Sequence, residues 1–370
     1  MEPFRPSPAP TVGVEQEFHL IDAETADLAS RVDEVRAALP QASGSFVDRE
    51  LFLSVLEGKT PVCESVAEVG DRVRSQRQEL SGICRRLGLR LAAAGTHPFA
   101  RWQDQQFVPS PHYQWARQMH GFLIHQMLAF GLHVHIGMPG AACAIYVLKE
   151  MQRWIYPLLA LSASSPYSSG MDTGLDSARM HLFRMLPRTG LPPELDSMQE
   201  WELLYEKLAD GGDITEPNSL WWLLRPQPKF GTVELRVFDL PADQRRLEAL
   251  TAITQAAAVH YRDRFENSVS LTPLNRAFLH ENEWKAMRFG LAGTLIDPAT
   301  GDILPVSEQL TRLLDRITPA AERLGTLAFL EVAREMLKTG NEATRMRQWV
   351  HDHDATLRDL ELEIARLTVR

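Results

Sequence analysis

Glu15 and Glu17 stand one residue apart in TVGVEQEFHL, a run otherwise rich in β-formers. Side chains of a strand alternate between its two faces, so both carboxylates and His19 share one face. Val12, Val14, Phe18 and Leu20 take the other. The design recurs in GLHVHIGM (131–138), where His133 and His135 lie with Gly131 and Gly137, opposite Leu132, Val134, Ile136 and Met138. It recurs again in GTVELRVFD (231–239), with Glu234 and Arg236 on one face and Val233, Leu235 and Val237 behind. Each strand taken alone fits an exposed edge with its charges in water. If the three share a sheet, several carboxylates crowd one surface, and like charges that close repel unless a cation sits among them. Hard divalent ions such as Mg²⁺ prefer carboxylate oxygens and accept phosphate oxygens to complete their coordination. A fourth segment, DRELFLSVLEGKTPVC, carries Glu50 and Glu57 seven residues apart. In a regular strand they face opposite ways, as two surface glutamates would; they converge only if the segment bulges or is helical.

The elements that must position these groups are interspersed strands and helices without strict βαβ regularity. Strands are expected at 11–21, within 46–57, and at 89–95, 130–138, 218–225 and 231–239. Helical patterns occupy 64–88, 141–162, 241–266 and 276–289, with several more helices from 304 onward. TLRDLELEIARLTV (356–369) sets Leu357, Leu360, Ile364 and Leu367 at helical spacing, a stripe for packing or for a subunit contact. HDHD (351–354) looks metal-like but sits in a polar helical stretch without nearby partners, and reads as a solvated face. The fold class is α+β: a sheet with one polar face, backed by helices. Residues 11–370 read as a single domain behind a flexible tail at 1–10.

Composition narrows the partners. A net charge of −9 argues against nucleic acid, whose phosphates need a basic surface. No uninterrupted run of about 18 apolar residues suggests a membrane span. MEPFRPSPAP lacks the apolar stretch of a signal peptide. The three cysteines, Cys63, Cys84 and Cys143, form no C-x-x-C pair and suit a reducing compartment. A cytoplasmic location is expected. The P-loop, G-x-G-x-x-G, H-E-x-x-H and G-x-S-x-G signatures are missing, so the usual marks of P-loop nucleotidases, Rossmann enzymes, zincins and serine hydrolases are missing too.

GVEQEF, GTHPFA (95–100), GLHVHIGMP (131–139), LSASSPYSSGMDTGL (161–175), LPRTGLPP (186–193), RPQPKFGTVELRVFD (225–239) and ENEWKAMRFGL (281–291) follow one another in this order. Together they resemble the bacterial carboxylate–amine ligase family related to glutamate–cysteine ligase type 2, from about residue 11 to beyond residue 345. The resemblance implies a glutamine-synthetase-like catalytic fold, a curved and mainly antiparallel sheet forming an active-site funnel for ATP and Mg²⁺, with Mn²⁺ as a substitute. It implies Glu15, Glu17, Glu50, Glu57, His133 and Glu234 as metal-site residues, and His133, His135, Arg225 and Arg236 beside the nucleotide. Arg236 would face the transferred phosphate, and Arg179 and Arg188 would be cations beside the substrate pocket. Three departures touch specificity rather than the metal core: Gln16 where the family has a third glutamate, His112 before Tyr113 in place of an arginine, and Arg184 displaced by one.

The implied reaction is amide formation driven by ATP. Hydroxide is a poor leaving group, so a carboxylate does not react with an amine in water; phosphorylation to an acyl phosphate makes it reactive. Glutamate and cysteine are the implied substrates, and a homodimer the implied assembly. A metal-dependent hydrolase built on His133 and His135 is the enzymatic alternative, although five glutamates against two histidines favour Mg²⁺ over Zn²⁺. A nucleotide-binding protein without turnover is the other.

Overall fold

The computed structural model describes residues 3–7, 9–212, 214 and 219–370. Among them the central element is an antiparallel sheet of seven strands: β1 (Val12–Asp22), β2 (Val47–Arg49), β3 (Val55–Lys59), β4 (Leu89–Ala92), β5 (Gly131–Gly137), β6 (Leu224–Gln227) and β7 (Thr232–Asp239). Their order is β2-β3-β1-β5-β7-β6, with β4 paired to the last residues of β1. The three strands with one polar face are therefore neighbours. Their register sets Glu15 opposite both His133 and Lys59, Glu17 opposite Glu57, and His135 opposite Glu234, which in turn faces Arg225.

The apolar faces explain why the sheet holds. Val12, Val14, Phe18, Leu132, Val134, Val233 and Leu235 are buried against helices that include Val66–Arg86, Ala141–Met151 and Gln244–Glu266. Burying each such side chain contributes about 1.5–3 kcal/mol. Gln244–Glu266 is buried on nearly every side, with alanines at 249, 252, 256, 257 and 258, as suits a central helix.

Several boundaries differ from the sequence reading. The pattern at 141–162 is broken into Ala141–Met151, a 3₁₀ turn Gln152–Trp154 and Ile155–Ser162. Pro157 has no N–H to donate back along the helix and its ring crowds the preceding turn, so a straight helix fails there. Residue 218 of the strand expected at 218–225 lies outside the described residues. The strand itself is Leu224–Gln227, because the Leu223 N–H turns away to Gly190 O at 2.8 Å. A helix not anticipated, Pro111–His120, starts at the Ser110 cap with proline in its first turn.

The C-terminal stripe packs within the chain: Leu360 and Ile364 of the helix Leu357–Thr368 join Ile21, Ala92 and Met346 in a second core. Residues 351–354 are exposed. Of residues 1–10, positions 1, 2 and 8 lie outside the described set. Arg5 and Ser7 donate backbone hydrogen bonds to Pro228 O (3.0 Å) and Met138 O (2.8 Å). Gly231, at φ 66°, accommodates that segment: a Cβ there would stand 1.5 Å from Arg5 O.

Candidate active site

The polar face of β1, β3, β5, β6 and β7 lines a cavity of about 710 Å³. Parity places the groups as the sequence suggested. Glu15, Glu17, His133, His135, Glu234 and Arg236 all reach the cavity, while Gln16 points behind the sheet, where its Oε1 accepts from Arg77 Nε at 2.9 Å. His19 shares the face of Glu15 and Glu17 but is covered, wholly buried against Glu361 at 2.8 Å. Glu50 sits in the turn between β2 and β3, and Glu57 in β3, so the chain reversal brings both to the cavity without a bulge or helix.

Glu15 is the hub. Its Oε2 lies 3.0 Å from His133 Nδ1 and its Oε1 3.6 Å from His135 Nε2. Burial alone would raise its pKa, but the two neighbouring imidazoles hold it well below the usual value. Burial, aided by the Arg236 cation, lowers the His133 pKa and favours the neutral ring. For His135 the carboxylates of Glu234 and Glu15 outweigh burial and raise it. Glu17 accepts from the Gly131 N–H and lies 3.5 Å from His133 Nε2.

Glu234, fully buried, gathers four donors: Arg225 Nε (2.7 Å) and Nη2 (3.2 Å), Gln227 Nε2 (2.6 Å) and Arg236 Nη1. Burial raises its pKa, yet the two guanidiniums pull it well below the usual range. Glu50 and Glu57 show the opposite balance. Burial and the Glu17 charge push Glu50 to about 7. Burial with Glu15 and Glu50 pushes Glu57 well above its ordinary value, despite Lys59 at 2.6 Å.

That repulsion is what a divalent cation would relieve. His133 Nε2 and His135 Nε2 are buried without hydrogen-bond partners, each about one ion's reach from a carboxylate. Among the described residues, two groups of possible ligands lie with their atoms within 4.8 Å of one another: Glu15, Glu57 and His133, and Glu15, His135 and Glu234. The donor set is rich in oxygen and fits Mg²⁺ or Mn²⁺. The two histidines fall in different groups.

The arginines divide. Arg236 and Arg225 line the cavity beside Glu234. Arg179 also lines it, its guanidinium bonded to Arg236 O at 3.2 Å and filling the space a Cβ on residue 131 would need, so Gly131 permits that approach. Arg188 is half-buried in the loop after the helix Ala178–Phe183, at φ 59°, outside the cavity lining. Arg184 pairs with Glu283 at 2.5 Å. Lys59, Tyr113 and Gln227 line the cavity and were not singled out from sequence. Lys59 and Gln227 share strand parity with Glu57 and Arg225, a signal that could have found them. His112 lines it too.

An antiparallel sheet that turns glutamates, imidazoles and arginines into one cavity, with helices behind, is the glutamine-synthetase-like architecture of carboxylate–amine ligases. The chain belongs to glutamate–cysteine ligase family 2, whose model matches residues 11–360. A Gloeobacter violaceus relative, provisionally named glutamate–cysteine ligase 2, is 37% identical over 348 residues, 94% of each chain. One from Thermobifida fusca with the same provisional name is 34% identical, over 93% of this chain and 87% of its own. Among solved structures, the glutamate–cysteine ligase of Francisella tularensis in complex with AMP matches with a TM-score of 0.73 at 12% identity, over all of this chain and 89% of that one. A bifunctional glutathione synthetase from Pasteurella multocida matches with a TM-score of 0.70 at 11% identity, over 97% of this chain and 52% of that one. Fold and family together make this chain an ATP-dependent carboxylate–amine ligase. No described helix is long and apolar enough to cross a membrane.

Proposed function

We propose that this enzyme joins the γ-carboxylate of glutamate to the amine of cysteine, using ATP to form a γ-glutamyl phosphate on the way. The observation that carries the reading is the cluster of Glu15, Glu17, Glu50 and Glu57 facing two arginines in one cavity, a pattern suited to phosphoryl transfer. Mg²⁺, or Mn²⁺ in its place, would supply positive charge to neutralise the phosphates. Glu15, Glu17, Glu50, Glu57 and His133 would hold it. Glu234, saturated by four donors, would first have to release one of them to become a ligand. Arg236, held by Glu234, would present a fixed cation where charge develops on the transferred group. His135 and Arg225 would lie beside the nucleotide. Of the two arginines expected to clamp a substrate carboxylate, Arg179 lines the cavity and is the better placed. Neutral His133, with its Nδ1–H given to Glu15, keeps a lone pair on Nε2, the form that ligates metals.

The test is a trap. With glutamate, Mg-ATP and hydroxylamine but no cysteine, a γ-glutamyl hydroxamate should form. Success only with another acid keeps the mechanism and replaces the substrate; failure across a broad panel of acids overturns the acyl phosphate. We further infer a cytoplasmic location, a single catalytic domain over 11–370, and a homodimer in solution. Sedimentation at micromolar concentration showing only the 41.8 kDa monomer would overturn the dimer.

A further inference from the structure

A second cavity, of about 660 Å³, lies on the helical side of the sheet, where the loop after β7 meets the helices Val66–Arg86 and Leu327–Thr339 and the chain's last residues. Arg74, Arg245, Arg246, Arg345 and Arg370 line it, a gathering of cations in a chain whose net charge is −9. The nearby carboxylates are already engaged. Glu335 pairs with Arg245 at 3.2 Å, and Glu248 accepts from Gln244 at 2.6 Å and lies 3.9 Å from Arg74. Asp243 caps the helix Gln244–Glu266 through the Arg245 N–H, and Glu342 accepts from the Ala242 and Asp243 N–H groups.

Arg246 is left with little. It is 4% exposed, and among the described residues its one side-chain hydrogen bond runs from Nη1 to Gly340 O at 3.0 Å. Among the described residues no carboxylate forms an ion pair with Arg246, Arg345 or Arg370. Burial lowers the Arg246 pKa and Arg345 adds to this, while Glu342, Asp243 and Glu335 oppose it.

We propose that this cavity binds a small polyanion bearing phosphate or clustered carboxylate groups. A guanidinium presents paired N–H donors that match either group bidentately. The volume is that of a small-molecule site, and little smaller than the catalytic cavity. Arg246 supplies a fixed, desolvated charge, and the exposed Arg345 and Arg370 can close over a ligand. One side chain outside the lining links β1 to the loop that precedes Asp243. Arg77, one turn from Arg74, is 2% exposed and bonds Gln16, between the two β1 glutamates, as well as Pro241 O (3.1 Å) and Ala242 O (2.6 Å).

The experiment uses the full chain in metal-free buffer. Inorganic pyrophosphate and citrate are titrated separately by calorimetry, which tells the phosphate source from the carboxylate one. At low salt at least one should bind saturably, and affinity should fall steeply as salt rises. The double variant Arg345→Glu/Arg370→Glu changes only exposed side chains and should weaken that binding about tenfold or more. Arg49→Glu, at the catalytic cavity, should leave it within about twofold. No binding of either probe at low salt, or binding equal in the double variant and the parent, overturns the proposal.

Discussion

Four donors converge on Glu234, and none reaches Glu15 except the two imidazoles. The difference decides what each substitution reports. Glu234→Gln would turn an amide N–H₂ toward Arg225, Arg236 and Gln227, and breaking one partner of a buried ion pair costs about 3–5 kcal/mol of stability. That variant should melt earlier as well as lose activity. Glu15→Gln keeps the shape at a site open enough to re-solvate. Its melting point should stay within about 3 °C of the parent, while the turnover number falls about a hundredfold or more, near 3 kcal/mol of barrier. Gln16→Glu changes the residue between the two proposed metal-site glutamates but faces Arg77, so its rate should stay within about tenfold. Steady-state phosphate release with saturating ATP, alongside thermal melting, reads all three. A Glu15→Gln rate within tenfold of the parent, or Gln16→Glu proving the worse variant, would sink the shared-face site.

At the scale of elements, the C-terminal helix Leu357–Thr368 is pinned to β1 by Glu361 and His19. Burial lowers the folded His19 pKa from 6.5 to about 3 and raises that of Glu361 from 4.5 to about 7, with His97 opposing the rise. Unfolded, the pair binds two protons below pH 4.5, one up to pH 6.5 and none above; folded, it binds one from about pH 3 to about pH 7. Its contribution is therefore flat between 4.5 and 6.5. It is lost as pH falls from 4.5 towards 3, where the unfolded chain binds more protons, and slightly as pH rises from 6.5 to 7, where the folded chain does. The acid arm amounts to about 2 kcal/mol. Urea unfolding in metal-free buffer, comparing the parent with His19→Gln/Glu361→Gln, should give a difference curve with that plateau; a difference that rises or falls steadily across the range would reject it. The same helix shows what a sequence displays and what it hides. Period-2 alternation is local, so the faces of Glu15, His133 and Glu234 were readable strand by strand. The covering of His19 depends on a residue 342 positions away, and no periodicity carries that. Glu50 and Glu57 stayed ambiguous because a turn, not a continuous strand, joins them. The stripe of Leu360 and Ile364 was plain, but only the tertiary fold shows that it meets Ile21 and Ala92 of its own chain.

Over the whole molecule, the candidate active-site cavity crowds carboxylates that folding alone does not separate: burial and neighbouring carboxylates push Glu50 to about 7 and Glu57 well above its ordinary value. A divalent ion placed among them binds the folded state and finds no comparable site in the unfolded chain, so it must raise stability. At a hundred times its dissociation constant the gain is about 2.7 kcal/mol. For a chain of 370 residues, unfolding entropy near 2.1 cal/mol/K per residue makes this a rise of roughly 3–4 °C in melting temperature. The protein stripped of metal should therefore melt about that much later once saturating Mg²⁺ is added, with Mn²⁺ acting alike. Glu15 belongs to both groups of candidate ligands, so Glu15→Gln should remove most of the rise, whereas Gln16→Glu should keep it. Scanning calorimetry in the absence of nucleotide reads this without reference to turnover. A Mg²⁺ shift that is absent in the parent, or undiminished in Glu15→Gln, would mean that the crowded carboxylates are held apart by protons rather than gathered for a metal.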